Sequence, residues 1–181
     1  FDDEVADAYG LAEGEIVVLI HCGSRGLGHQ ICSNYVRKIE QEHGELLDRL
    51  PDKELAAAPA GSELAEEYYG AMCAAVNFAW VNRQLITHRT RETLADTFDA
   101  VDADDVELLY DVAHNIAKRE SHEIDGEDRE LFVHRKGATR AFPAGREEVP
   151  AAYRDVGQPV IIPGSMGAGS YVLKGGDRSL E

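Results

Sequence analysis

Five consecutive apolar residues, Ile16-Val17-Val18-Leu19-Ile20, run straight into the glycine-rich stretch His21-Cys22-Gly23-Ser24-Arg25-Gly26-Leu27-Gly28. Few arrangements suit that order. A continuous run rich in β-branched residues fits a strand covered on both faces. The glycines fit a tight turn, and a helix is expected from His29 to about Leu50. The pattern therefore predicts a buried strand over Glu15–Ile20, a turn and a helix. Glycines placed there let backbone N–H groups approach an anion, and a helix start adds partial positive charge. Arg25 within the turn suits a phosphate or sulfate oxygen. The same residues also read as a tight structural turn with a surface arginine.

The rest of the chain divides unevenly. Residues 1–13 predict a short helix ending near Gly14, and Pro51 to Gly61 predicts a loop. Ser62-Glu63 is a candidate cap, and the longest helix is expected over about Tyr68–His88. Apolar residues fall on nearly every face of that helix, which predicts a buried one. Strand-like runs follow at Val106–Val112, Leu131–His134, Pro159–Ile162 and Ser170–Leu173. Helices crowd the first half and strands the second, so the fold class is α+β. No internal repeat or convincing linker divides the chain, so residues 1–181 read as part of one domain.

At 181 residues a sizeable core is affordable. No apolar run approaches the ~18 residues that would span a membrane. The start, Phe1-Asp2-Asp3-Glu4, shows neither a secretion signal nor an initiator Met, which fits an internal segment of a longer protein. Lys plus Arg is 18 against 34 for Asp plus Glu, a formal net charge of −16. A basic nucleic-acid footprint is thus absent at whole-chain level. One reading is a protein that avoids polyanions. The favoured one is a halophilic protein from a high-salt cytoplasm, because the acids crowd between motifs (Asp96, Asp99, Asp102, Asp104, Asp105, Glu107) while the motifs hold Arg and Lys. Three cysteines without a Cys-x-x-Cys support neither a disulfide framework nor a zinc ribbon, and point to a reducing cytoplasm.

Three further stretches could carry chemistry. His114, in Asp111-Val112-Ala113-His114-Asn115, follows an expected strand, as His21 does. Two strand-end histidines would make half of a metal site, and each alone reads equally as a hydrogen-bonded structural residue. His134-Arg135-Lys136-Gly137-Ala138-Thr139-Arg140 gathers four potentially cationic side chains in seven residues, which suits phosphate or a solvated strand end. Pro163-Gly164-Ser165-Met166-Gly167-Ala168-Gly169-Ser170 leaves room for a flat ligand near hydroxyls and amides, or is a plain glycine-rich turn.

Taken together, these stretches resemble the RtcB-type RNA ligases, the manganese- and GTP-dependent tRNA-splicing ligases. The matching segments are His21–Gln30, Asn77–Gln84, Asp111–Lys118, His134–Phe142 and Gly157–Gly167, in family order along nearly the whole chain. The resemblance implies an RtcB-like fold, with mixed β-sheets and helices around a metal and nucleotide cleft, of which residues 1–181 are the central part. It implies joining of RNA 2′,3′-cyclic-phosphate or 3′-phosphate ends to 5′-hydroxyl ends through a guanylylated histidine. It implies Mn²⁺ and GTP as cofactors, tRNA halves as substrates, an archease-type activator as a candidate partner, and no membrane. His21 and His114 fall on metal-ligand histidines. His114, Asn115, Pro163, Gly164, Ser165, Met166 and Ser170 fall on the guanine-nucleotide site. Arg25, Lys136 and Arg140 are candidate RNA-phosphate contacts. The Asn77–Gln84 helix has no chemical role assigned, and bracing the cleft is its favoured reading.

The departures matter as much. The family's Asp-x-x-Cys metal motif, its Gly-Asn-His stretch and the His-Gly-Ala-Gly-Arg motif with the guanylylated histidine are missing, so no catalytic nucleophile is assigned and the isolated chain is expected to be inactive. A non-catalytic ligase segment, supplying nucleotide or RNA contacts only with its missing parts, is the alternative. A nucleotide-binding oxidoreductase is disfavoured. The loop's Gly-x-x-Gly-x-Gly spacing is one residue short of the short-chain dehydrogenase pattern, and no Tyr-x-x-x-Lys follows.

Overall fold

The structure is a computed structural model that describes residues 2–52 and 55–180. Phe1 of the first expected helix, and Lys53 and Glu54 of the expected loop, lie outside the described residues. The chain forms two compact units. The first holds Phe1–Leu19, Val106–Asn115 and Val133–Glu181; the second holds Ile20–Asp105 and Ile116–Phe132. Helices and small antiparallel sheets together make the α+β class that the sequence predicts.

In the first unit, α1 (Asp3–Ala8) begins where the Asp2 carboxylate accepts the Val5 N–H at 3.3 Å. It ends earlier than expected, because Gly10, at φ +67, turns the chain before Gly14 is reached. The core joins the apolar Phe142, Val149 and Pro159 to side chains that are both bulky and polar. Tyr9, 5% exposed, donates its hydroxyl to the Gly157 carbonyl at 3.0 Å and meets the Tyr153 ring edge-on at 5.2 Å. Gln158, 1% exposed, accepts the Phe142 N–H at 3.3 Å and donates to the Tyr110 hydroxyl at 2.7 Å. Both amide ends are thus satisfied, which burial of an amide requires. Gln158 leads into the strand Pro159–Ile162, which pairs antiparallel with Tyr171–Lys174 in the register Pro159↔Lys174 to Ile162↔Tyr171.

Burial raises the Tyr9 phenol from 10.0 to about 12, with Tyr153 and Tyr110 adding to the effect. The fold therefore favours the neutral phenol. Below pH 10 both the folded and the unfolded chain keep that proton, and stability is insensitive to it. Between about pH 10 and 12 the unfolded chain releases the proton first, so stability falls. Denaturation midpoints across this window should drop more steeply for the native chain than for Tyr9→Phe. Parallel curves would refute the assignment.

Two expected strands do not form. Glu15–Ile20 is irregular, with Ile16 95% and Val17 69% exposed. A strand needs a neighbour for its N–H and C=O groups, and no strand pairs with this run among the described residues. Val106–Val112 is likewise irregular after the 3₁₀ turn Ala103–Asp105. It is held by side chains instead, the Leu109 carbonyl accepting the Tyr153 hydroxyl at 2.6 Å.

In the second unit the helix expected from His29 starts earlier, within the glycine stretch, and breaks sooner. It becomes α2 (Gly26–Glu42) and a single turn, α3 (Gly44–Leu47). The long helix α4 runs Glu63–Thr97, beyond both expected ends. Ser62 is its N-cap, accepting the Ala65 N–H at 3.2 Å, with Glu63 and Glu66 in the first turn where the helix dipole favours acids. α2 packs on α4, burying Ile39, Leu64 and Ala75. The all-round burial expected of α4 is not met: Phe78, Val81 and Leu85 are about half exposed, because the helix carries more apolar faces than its neighbours in this unit cover.

A hairpin missed in the sequence completes the fold. β1 (Asn115–Ile124) and β2 (Glu127–Lys136) pair across Asp125-Gly126, whose φ values of 55° and 80° suit a two-residue hairpin turn. The expected strand Leu131–His134 is only the middle of β2. The two strands of the other sheet, now β3 (Pro159–Ile162) and β4 (Tyr171–Lys174), lie within one residue of expectation.

Candidate functional site

The candidate residues fall in both units. His21 and Arg25 belong to the second; His114, Asn115, Lys136, Arg140 and the loop 163–170 belong to the first.

In the second unit, residues 21–24 have no regular structure and lead into α2. Arg25 is exposed and adopts φ 53°, ψ −139° as the helix N-cap, a conformation that L residues seldom hold. No side chain caps the helix there. The loop folds tightly over α2, since a Cβ on Gly28 would overlap the Ser24 hydroxyl and touch Ala75 of α4 at 3.6 Å. Its inner side rests on α4. Asn82 donates its amide to the Gly23 carbonyl at 2.9 Å and to the Cys22 sulfur at 3.3 Å. Arg83, 9% exposed, donates Nη1 to the Cys22 carbonyl at 3.2 Å with its guanidinium 4.6 Å from the Trp80 ring centre. Neither residue was given a chemical role from the sequence; a polar pair on an apolar helix was the available signal.

In the first unit, the end of β2 returns beside His114. The Gly137 N–H donates to the His114 carbonyl at 2.8 Å and to the Asn115 side-chain oxygen at 3.0 Å. Gly137 takes φ +71, which lets the chain turn away at that point. The structure thus brings His114, Asn115 and the Lys136-Gly137 step together. His114 is half-buried and Lys136 exposed. Arg140 lies with its guanidinium 5.4 Å from the Phe142 ring centre, and Arg146 lies 4.9 Å from the same ring. Arg146 pairs with Glu148 at 2.6 Å, holding that carboxyl below the usual range and raising its own pKa.

The 163–170 loop joins β3 to β4. It is closed by the Gly164 N–H donating to the Ser170 hydroxyl at 2.9 Å, and by the Ala168 N–H donating to the Ser165 carbonyl at 2.9 Å. Gly164 admits no Cβ, because the Gly169 and Ala168 carbonyls crowd it. Pro163, Ser165 and Met166 are exposed, Met166 fully so. As an acceptor, Ser170 still has its hydroxyl hydrogen to give.

Among the described residues, no three His, Cys, Asp or Glu side chains stand together as a metal-holding group. An apolar groove of about 370 Å³ runs along α4 beside Leu85, Ile86, Arg89 and Leu94, and contains none of the candidate residues. Among the described residues, no helix is long and apolar enough to cross a membrane.

Comparison with known proteins gives this arrangement its context. Residues 1–181 match the family model described as tRNA-splicing ligase RtcB. The chain is 55% identical over 182 residues to the tRNA-splicing ligase RtcB of Thermococcus kodakarensis, covering all of this chain and 38% of that protein. It is 56% identical over 176 residues to that of Aeropyrum pernix, covering 97% of this chain and 37% of the relative. Against that of Archaeoglobus fulgidus it is 50% identical over 182 residues, again 38% of the relative. The chain therefore spans well under half the length of these relatives. Matched from its first residue to its last, it belongs to the tRNA-splicing ligase RtcB family.

Proposed function

We propose that this chain is the central part of a single ligase domain that joins RNA 2′,3′-cyclic-phosphate or 3′-phosphate ends to 5′-hydroxyl ends, in tRNA splicing and RNA repair. The observation that carries the reading is the unbroken family match over residues 1–181. GTP and Mn²⁺ are the cofactors in this reading, tRNA halves the substrates and an archease-type protein a candidate activator.

In this reading the residues contribute to a larger donor set. His21 and His114 supply imidazole nitrogens, a donor type suited to divalent transition metals. When bound, such a metal supplies Lewis-acid polarisation of phosphoryl oxygens. The chain's own residues bind and orient. Asn115, pinned through its side-chain oxygen to Gly137, presents its amide N–H₂ for donation beside His114. The loop from Pro163 to Ser170 presents Ser165, Met166 and the Ser170 hydroxyl to a guanine nucleotide. Arg25, Lys136 and Arg140 take RNA phosphate oxygens, a role suited to fixed or flexible cations in an otherwise acidic chain.

The test is a chimera in which residues 1–181 replace the matching segment of the Thermococcus kodakarensis relative. With GTP and Mn²⁺ it should join a 2′,3′-cyclic-phosphate RNA to a 5′-hydroxyl RNA. A chimera that folds and takes up GMP, yet joins no ends, would refute the proposed reaction.

The net charge of −16 supports a protein adapted to high salt, and three free cysteines (Cys22, Cys32, Cys73) support a reducing cytoplasm. Screening within ~3 Å at 1 M salt relieves repulsion among exposed acids, so thermal stability should rise from low salt to molar KCl. Maximal stability at low salt would contradict the adaptation.

A further inference from the structure

We propose that Asn82 and Arg83 of α4 are positioning residues that fix the conformation of the loop His21–Arg25. The inference rests on the ligase reading for its consequence, and on the second unit's own geometry for its substance.

Residues 21–24 gain no support from a sheet, and Arg25 sits at a positive φ that a lone loop would leave. Such a conformation persists only where surrounding contacts over-determine it. Here the contacts are three hydrogen bonds from two adjacent residues of one rigid helix. Asn82 holds the Gly23 carbonyl and the Cys22 sulfur, and Arg83 holds the Cys22 carbonyl. Two successive carbonyls are thereby fixed, which sets the direction of the backbone on the C-terminal side of His21. Arg83 has little freedom itself, being 9% exposed with its guanidinium against Trp80. Burial of a guanidinium is costly unless its donors are used, and here Nη1 is spent on the loop's Cys22 carbonyl. On the other side, the missing side chain of Gly28 lets Ser24 settle against the first turn of α2. The loop is thus clamped from α4 and seated on α2. In the ligase reading this fixes His21 for metal and Arg25 for RNA phosphate, neither of which touches Asn82 or Arg83 through any of these bonds.

The three cysteines provide the test. Cys22 lies in the clamped loop, Cys32 is exposed on α2 and Cys73 is half-buried on α4. Each native and variant chain is treated with iodoacetamide, and the rate at each cysteine is read by peptide mass. Asn82→Ala and the near-isosteric, uncharged Asn82→Leu should each speed Cys22 relative to Cys32 by about fivefold, the order expected for losing one net hydrogen bond. Cys73 should be unchanged. Arg83→Met should act in the same direction, and Arg83→Lys, which keeps one donor, should recover part of the protection. An unchanged Cys22 rate overturns the proposal. So does a rise at Cys22 and Cys73 together, since that reports loosening of α4 and not release of the loop.

The consequence is read in the chimera described above. Asn82→Ala should lower kcat about tenfold with the KM for GTP unchanged, as expected when a reacting group is misplaced and nucleotide binding is spared. An active chimera indifferent to Asn82→Ala overturns the positioning role. If the native chimera takes up no GMP, the ligase reading fails instead, and the cysteine rates alone decide whether the clamp exists.

Discussion

His114→Ala in the active chimera is expected to abolish transfer of label from GTP to protein. In the proposed reading His114 is a metal ligand, and its loss removes several kcal/mol of charge stabilisation from phosphoryl chemistry, which corresponds to a rate loss of about a thousandfold or more. What makes this substitution informative is the local structure. The Gly137 N–H is held by the His114 main-chain carbonyl and by the Asn115 side chain, so alanine at 114 leaves both bonds in place. The imidazole is half-buried, and its removal should cost about 1 kcal/mol of stability, the centre of the range for single substitutions. A large fall in guanylylation with a nearly unchanged melting temperature therefore reports on chemistry. The assay is incubation with labelled GTP and Mn²⁺, followed by a denaturing gel. Labelling equal to that of the native chimera would remove His114 from the metal site. Added Mn²⁺ gives a second reading, since a weakened ligand set should recover partially at higher metal and an unrelated defect should not.

How much of this could be read from residue order depended on where each element finds its partners. α4 was readable because a helix satisfies its own backbone, and Ser62 marks its start by a bond three residues away. β3 and β4 were readable because they pair with each other across a short glycine-rich connection. Glu15–Ile20 and Val106–Val112 carry strand-like composition but find no ladder partner among the described residues, and composition has no access to that. The β1–β2 hairpin failed in the opposite way. Its strands, with Lys118-Arg119-Glu120 and Glu127-Asp128-Arg129-Glu130, look like solvated polar segments, and only Asp125-Gly126 announces the turn. Part of what steadies it is non-local: Arg119 pairs with Glu66 at 2.9 Å and lies 5.1 Å from Tyr69 and 5.0 Å from Phe132. The candidate site divides along the same line. His21, Arg25, His114 and the 163–170 loop were named from family motifs in register. The support beneath them, Asn82 and Arg83 under the His21–Arg25 loop and Gly137 beside His114, emerges only when distant segments are brought together.

The isolated 181-residue chain, treated with the same labelled GTP and Mn²⁺, should give no labelled band at all. Covalent catalysis requires its nucleophile within reach of the phosphorus, so the argument turns on which histidine that could be. The resemblance assigns the role to a histidine followed by Gly-Ala-Gly-Arg, and none of the seven histidines here has that context. His21 and His114 are proposed as metal ligands, and a ligand nitrogen is not free to attack. His29 lies in the first turns of α2, His43 between α2 and α3 with its Nε2 buried, His88 near the exposed C-terminal half of α4, paired with Glu92 at 3.3 Å, His122 on β1, paired with Glu120 at 3.2 Å, and His134 on β2. None of these neighbourhoods provides the third ligand or the carboxylate–thiolate pair that the family's metal motif would add, and no such group stands among the described residues. Two imidazoles alone hold a divalent ion weakly, so Mn²⁺ at ordinary concentrations should leave the chain's melting temperature unmoved. The chimera supplies the absent motifs and should label under identical conditions. The difference between the two samples, all or nothing on one gel, separates a segment that positions substrate from one that also carries the nucleophile. A band from the purified chain, mapped by peptide mass to one of its own histidines, would place the nucleophile within residues 1–181 and overturn the assignment.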